Sequence, residues 1–437
     1  MPGLRVAIVG AGPAGAALAT LLAEDGHDVV LFDDERRPEL VVGESLIPAG
    51  IPPLRRLGIE TAVAAIGMRK PGATLTWSAQ NRFSFRFARY SSWMVPYAYN
   101  VPRREFDALL LARAEAVGAR RSTMHVGFAR RSAAATPGSN GTAGDGAELA
   151  LAPDAVAATG WPAPDLVVDA SGRARAAARL LGIPASTGPR NDVAHFAHFT
   201  GYQWSDEPGQ VLIDRLDGGW SWRIPLNERL SLGVVLNRAA AASLGATPAE
   251  RLTAAIATSD ALTATIAGAQ RRTDVVTYSN YQLISSRGVG PGWVAIGDAF
   301  GFVDPMLSPG VTVAMRSAEM LAACLAPWRR SRAGATPAAL ATALQPYARE
   351  LTGLLSAWME VVGYLYDGRM LALIRAGSDM MAERSGRFAR ALQDHIEANI
   401  AGLASGTSIT SRYSLGLLRF LGRHGLRGVS PATLAIQ

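Results

Sequence analysis

The 437-residue chain has one cysteine, Cys324. No disulfide can close within a single chain, and no cysteine-based metal site can form. The expected setting is therefore the reducing cytoplasm. No run of about 18 uninterrupted apolar residues occurs, which argues against a membrane span. The first residues lead straight into an apolar run, Leu4 to Val9, without a basic segment and small-residue cleavage site, so no secretory leader is expected. Long basic runs are missing too. The net charge of +7 is spread over scattered arginines, and nucleic acid is not an expected partner. The scarcest charged residue is lysine: of 43 Lys and Arg, Lys70 is the single lysine. Arginine stays protonated wherever it is placed, whereas a desolvated lysine can lose its proton. Lys70 is thus a candidate for a site that needs an amine.

What is present suits a large folded protein. Hydrophobic residues make up 49% of the chain and charged residues 18%, which excludes extensive disorder. The length is enough for two or three domains. Residues 4–33 read as strand, glycine turn, helix, strand. Gly10-Ala11-Gly12-Pro13-Ala14-Gly15 follows an apolar strand and opens an Ala/Leu-rich helix closed by Gly26, and Asp33 ends the next strand. In that context the glycines define a dinucleotide site. Gly10 permits the tight turn, Gly12 lets the backbone approach a pyrophosphate at the helix N-terminus, and Gly15 allows close helix–strand packing. Asp33 is placed to accept hydrogen bonds from the adenosine ribose.

Further along, 74–101 and 193–236 are strand-like, with Gly218-Gly219 as a turn. Residues 105–118 are helical in pattern. Segment 132–148, with Asn140-Gly141, reads as a hairpin tip or surface loop. Residues 164–170 form an apolar strand running into Asp169-Ala170-Ser171-Gly172. Val294-Ala295-Ile296 leads into Gly297-Asp298. A long helix is expected from Val311 to Leu325, and 338–425 is mostly helical. The strands near 4, 29, 164 and 294 fit one mostly parallel sheet, and the middle strands fit a second sheet facing substrate. Asp298, between a strand and a helix, can accept hydrogen bonds from the hydroxyls of a bound cofactor. A helix starting near Gly310 aims N–H groups at negative charge. Trp220 and Trp222 alternate on a strand and so share a face.

Four segments stand out: Gly43-Glu44-Ser45 with Pro48, Lys70-Pro71-Gly72-Ala73, Trp220-Ser221-Trp222-Arg223-Ile224-Pro225, and Gly297-Asp298-Ala299-Phe300 running on through Pro305, Met306, Leu307, Ser308, Pro309 and Gly310. Together they resemble the flavin-dependent halogenases and halogenase-like FAD monooxygenases, including the type that hydroxylates a peptidyl tryptophan in tryptophylquinone biogenesis. The resemblance implies an α/β fold: a Rossmann-like FAD-binding domain with an inserted antiparallel substrate sheet and a helical C-terminal region. The corresponding division is 1–73, 102–190 and 285–335 for FAD, 74–101 and 191–284 for the sheet, and 336–437 for the helices.

The residues assigned to FAD are Gly10, Gly12, Pro13, Ala14, Gly15, Asp33, Glu44, Ser45, Arg103, Gly297, Asp298, Pro305, Gly310 and Val311. Lys70 and Glu44 are the catalytic candidates. Trp220, Trp222, Leu307 and Pro309 are assigned to the substrate pocket, with His195 and His198 as weaker candidates. Where the halogenase pattern has Ser or Thr directly before the helix-opening glycine, this chain has Pro309, which lacks both hydroxyl and N–H. That departure makes hydroxylation of an electron-rich aromatic, such as an indole or a tryptophan free or within a protein or peptide, the leading expectation, through a flavin C4a-hydroperoxide formed with O2. The alternative is halogenation of a phenol, pyrrole or carrier-bound aromatic through Lys70. Electrons would come from NAD(P)H or from a flavin reductase, since no second glycine fingerprint is visible. Reductases of isoprenoid double bonds share the Gly-Asp FAD site but lack the Trp-x-Trp-x-Ile-Pro segment, and a flavoprotein without catalysis would be excluded by rapid reaction of the reduced protein with oxygen.

Overall fold

The computed structural model describes residues 3–36, 38, 40–78, 81–132, 147–280, 282–383, 386–426 and 430–436. The expected hairpin tip at 132–148 lies almost wholly outside them.

A six-stranded sheet forms the first layer. Its centre is Arg5–Val9, flanked in parallel by Asp28–Asp33 and Leu166–Asp169, with Arg120–Thr123 beyond the former and Trp293–Ala295 beyond the latter. The four strands other than Arg120–Thr123 are buried on both faces, which is why their sequences are continuous apolar runs rather than alternating ones. Arg120–Thr123, at the sheet edge, is polar and largely exposed and was not expected from the sequence. The helices Pro13–Glu24 and Gly310–Leu325 pack against each other beside this sheet. The small residues of the former, Ala14 to Ala17 and Ala19, allow the close approach.

The second layer is an eight-stranded, mostly antiparallel sheet. It contains Gly72–Ser78, Asn81–Arg86, Asp192–Thr200, Val211–Leu216, Gly219–Pro225 and Leu230–Asn237. The pairing of Gly72–Ser78 with Asn81–Arg86 explains Gly72: a Cβ there would collide with the Phe85 carbonyl. Beyond Arg86 the expected run of strands is interrupted. Phe87–Tyr90 is a helical turn, and only Ala98–Asn100 is again extended. The turn buries Phe87 and Tyr90, three residues apart, on one side, which an extended chain would place on opposite faces.

The C-terminal third is helical, in Pro337–Ala343, Gln345–Tyr366, Arg369–Glu383, Arg387–Ala404 and Arg412–His424. Among the described residues, no helix is long and apolar enough to cross a membrane.

Candidate active site

One cavity lies between the two sheets, and a second between the second sheet and the C-terminal helices. The first is lined by Gly12, Pro13 and Ala14 from the glycine turn, by Glu44, Ser45 and Arg103, by Asp298, Pro305, Gly310 and Val311, and by Trp220 and Trp222 from the second sheet. The turn is built as its glycines require. Gly10 has φ +113°, and a Cβ on Gly15 would strike the Gly10 carbonyl. A Cβ on Gly12, by contrast, would meet no atom within 4 Å. The backbone there faces open space at a helix N-terminus, the place an anionic pyrophosphate occupies. Gly10 and Gly15 shape this turn from behind the lining, and Gly297, at φ +56°, does the same for Asp298.

Arg103 is held by Asp107, with Nε to Oδ1 at 3.0 Å and Nη2 to Oδ2 at 3.1 Å, and donates to the Val42 carbonyl. Burial pushes the Asp298 carboxyl up to about 6, with Arg173 and Arg103 opposing that rise. Hydroxyl groups of a bound cofactor would give this carboxylate the hydrogen bonds it needs. Asp33 ends its strand as expected, but off the lining of the cavity, and its carboxylate accepts from Arg121 Nη2 at 2.8 Å.

Glu44 is buried against His198, with 2.8 Å between Oε1 and Nε2. His198 lies on the second sheet and Glu44 on the loop after the second parallel strand, so the pair joins the two layers. His198→Leu should destabilise the protein by about 3 kcal/mol, because it leaves a buried carboxylate alone. Adding Glu44→Leu should recover most of that loss in urea unfolding; a double variant weaker than the single one would refute the pairing. His195 touches neither cavity. Its Nδ1 lies 2.9 Å from Thr277 Oγ1, and burial lowers its pKa to about 4, a neutral structural histidine.

The second cavity holds Lys70. Its walls are mainly apolar and aromatic, including Phe83, Phe85, Phe87 and Tyr90, with Leu307 and the helices after residue 369 closing the far side. Lys70 is 3% exposed, and its Nζ donates to Ser45 Oγ at 2.8 Å and to the Leu46 carbonyl at 3.1 Å. Burial pulls its pKa down from 10.5 to about 7. Ser45 itself lines the first cavity, so the lysine is tethered to the edge of that site.

The two cavities share a wall made of Val211, Ile213, Met306 and Ser308. Trp220 and Trp222, assigned from sequence to the substrate pocket, face the first cavity and not the one holding Lys70. Leu307 is in the Lys70 cavity, and Pro309 lines neither. Pro309 instead caps the Gly310–Leu325 helix, accepting from Val313 N at 2.8 Å. Before it, Ser308 adopts φ +56°, a left-handed conformation unusual for serine, and faces both cavities.

Sequence reading missed Arg173, whose guanidinium lies 4.5 Å from the Phe302 ring centre on the lining of the first cavity. The Asp169-Ala170-Ser171-Gly172 strand end was the signal for it. Gly233 was also missed: it sits opposite Trp222 in the sheet and leaves room for that indole.

A dinucleotide turn, a half-buried acid at the second strand–helix junction and an apolar slot between them define an FAD-dependent oxidoreductase. Comparison with known proteins agrees. Residues 3–154 match the FAD binding domain family. The chain is 29% identical over 379 residues to a tryptophan 2-halogenase of Chondromyces crocatus, covering 83% of this chain and 68% of that protein. It is 27% identical over 353 residues to a 1H-pyrrole-2-carbonyl-[peptidyl-carrier protein] chlorinase of Pseudomonas fluorescens, covering 72% and 74%. The flavin-dependent brominase Bmp2 shares its fold with a TM-score of 0.69 at 21% identity, over 97% of this chain and 99% of the other. Halogenase PltM in complex with phloroglucinol and FAD does so with a TM-score of 0.71 at 18% identity, over 99% and 94%. These likenesses support a place in a flavin-dependent halogenase-like family, with FAD as the cofactor.

Proposed function

We propose that the protein halogenates an electron-rich aromatic, using FAD in the first cavity and Lys70 in the second. The observation that carries this reading is the shared wall. A hydroxylase that hands oxygen directly from flavin to ring needs the ring against the flavin. Here the buried amine sits in a separate aromatic cavity, so a small oxidised halogen would be what crosses. The relatives, which are halogenases, favour the same reading over the hydroxylation expected from Pro309.

FAD, reduced by NAD(P)H or a reductase, would supply activation of O2 and, through it, oxidation of the halide. The glycine turn, Arg103 and Asp298 would hold it. Ser308 offers the hydroxyl that Pro309 lacks, one position earlier, and the free N–H groups of Gly310 and Val311 open the helix toward the same cavity. These donors would hold the halide. Trp220 and Trp222 keep that side apolar and dry. Lys70 would receive hypohalous acid by hydrogen bonding and present the halogen to a ring packed among Phe83, Phe85 and Phe87.

The test supplies the purified protein with FAD, a flavin reductase, NADH, bromide and a panel of phenols, pyrroles and indoles, including tryptophan-containing peptides. Bromine in the product, dependent on bromide, is the expected result. Hydroxylated product whose yield ignores bromide would overturn this reading and restore the hydroxylase, which the proline at the helix start favours.

A further inference from the structure

We propose that Tyr366 is a positioning residue that holds the wall between the two cavities in place. Tyr366 ends the long Gln345–Tyr366 helix and is 7% exposed. Its hydroxyl accepts from Trp220 Nε1 at 2.9 Å and donates to Asp304 Oδ2 at 2.8 Å. The other carboxylate oxygen, Asp304 Oδ1, accepts from Met306 N at 2.9 Å. The relay therefore runs from an indole on the flavin side, through a helix of the C-terminal third, to the backbone of the wall. Met306 and Ser308 face both cavities, and Asp304 is 1% exposed, so no water can replace the tyrosine hydroxyl without rearrangement.

Three separate parts of the chain meet at this one oxygen. The ring is fixed from its other side by Arg190, whose guanidinium carbon lies 4.0 Å from the ring centre and whose Nε donates to Asp192. Burial, with Asp304 and Asp192 nearby, raises the hydroxyl well above the usual tyrosine range, so it remains a donor at every working pH. Neither Tyr366 nor Asp304 lines either cavity. The role is indirect: it sets where Met306 and Ser308 stand, and hence whether an oxidant made on one side reaches Lys70 or escapes.

The test is Tyr366→Phe in the full FAD-loaded chain, with Trp220→Phe, which removes one bond of the relay but also alters the lining of the first cavity, as a second variant read by amide exchange alone. Amide exchange at residues 303–308 should quicken about tenfold in Tyr366→Phe and less in Trp220→Phe, while exchange in the Pro13–Glu24 helix stays as in the wild type. Product formed per reduced flavin consumed should fall severalfold in Tyr366→Phe with KM for the aromatic unchanged. Unchanged coupling in Tyr366→Phe, or faster exchange spread evenly over the chain, would overturn the proposal. Should Tyr366→Phe not fold, the exchange pattern of Trp220→Phe decides. The coupling readout rests on the halogenase reading; the exchange pattern does not. A wild type that makes no halogenated product would sink that reading while leaving the relay to be decided by exchange.

Discussion

Lys70→Met should lower halogenated product by about 10²- to 10⁴-fold while FAD binding and flavin oxidation by O2 continue. Methionine has nearly the length of lysine and suits an apolar cavity, so little packing is lost. What disappears is the amine next to Ser45 and the Leu46 carbonyl. Oxidised halogen should then escape and be caught by a dye in bulk solution. Product formation equal to wild type would remove Lys70 from the mechanism. The same substitution makes a thermodynamic statement. The lysine has a folded pKa of about 7 against an ordinary 10.5. Between those values the unfolded chain holds a proton the folded one has lost, so wild-type stability gains a contribution that rises with pH across that window. In Lys70→Met the contribution is absent. Urea unfolding of both proteins at pH 7 and pH 10 should show the difference between them shrinking as pH rises.

Two glycines of one turn should fail in opposite ways. Gly12→Val should leave the apoprotein's melting temperature unchanged and weaken FAD binding by about 10- to 100-fold. A Cβ there meets no protein atom within 4 Å, and the extended backbone, φ −75° and ψ −175°, accepts a branched residue, but the side chain would fill the space where a pyrophosphate would sit. Gly15→Ala should instead lower the stability of the apoprotein by about 1–3 kcal/mol or more, because its methyl would strike the Gly10 carbonyl, which cannot swing aside as a side chain could. Calorimetry of both apoproteins with FAD titrations separates the two effects. Wild-type FAD affinity in Gly12→Val would mean that the dinucleotide lies elsewhere.

These glycines were legible in the sequence because each is demanded by local backbone geometry, which a short motif can carry. Four strands of the parallel sheet were legible for a similar reason: strands buried on both faces are written as unbroken apolar runs, whereas the polar edge strand Arg120–Thr123 was not. The wall between the cavities was not. Val211, Ile213, Met306 and Ser308 come from two distant segments, and nothing near any of them in sequence tells which neighbour it meets. Trp220 and Trp222 show the limit well. Their alternation gave a common face, now seen as rings 5.9 Å apart, but the cavity they face depends on how the sheet lies over the glycine turn. Asp33 is a second case: its position was readable, its engagement with Arg121 was not. Pro309 weighed heavily in the sequence because it removes a donor, whereas the structure turns attention to Ser308, whose strained backbone no residue count reveals.

The solitary lysine has one more use. Apart from the chain's own α-amine, Lys70 is the only primary amine in 437 residues, and it faces a cavity instead of bulk water. Reductive methylation with ¹³C-formaldehyde would therefore install a single side-chain NMR label in that cavity. A reagent as small as formaldehyde can enter where a bulky amine-reactive dye cannot. One resonance, followed against pH, halide and candidate aromatics, would report what occupies that chamber without any need to assign the rest of the spectrum.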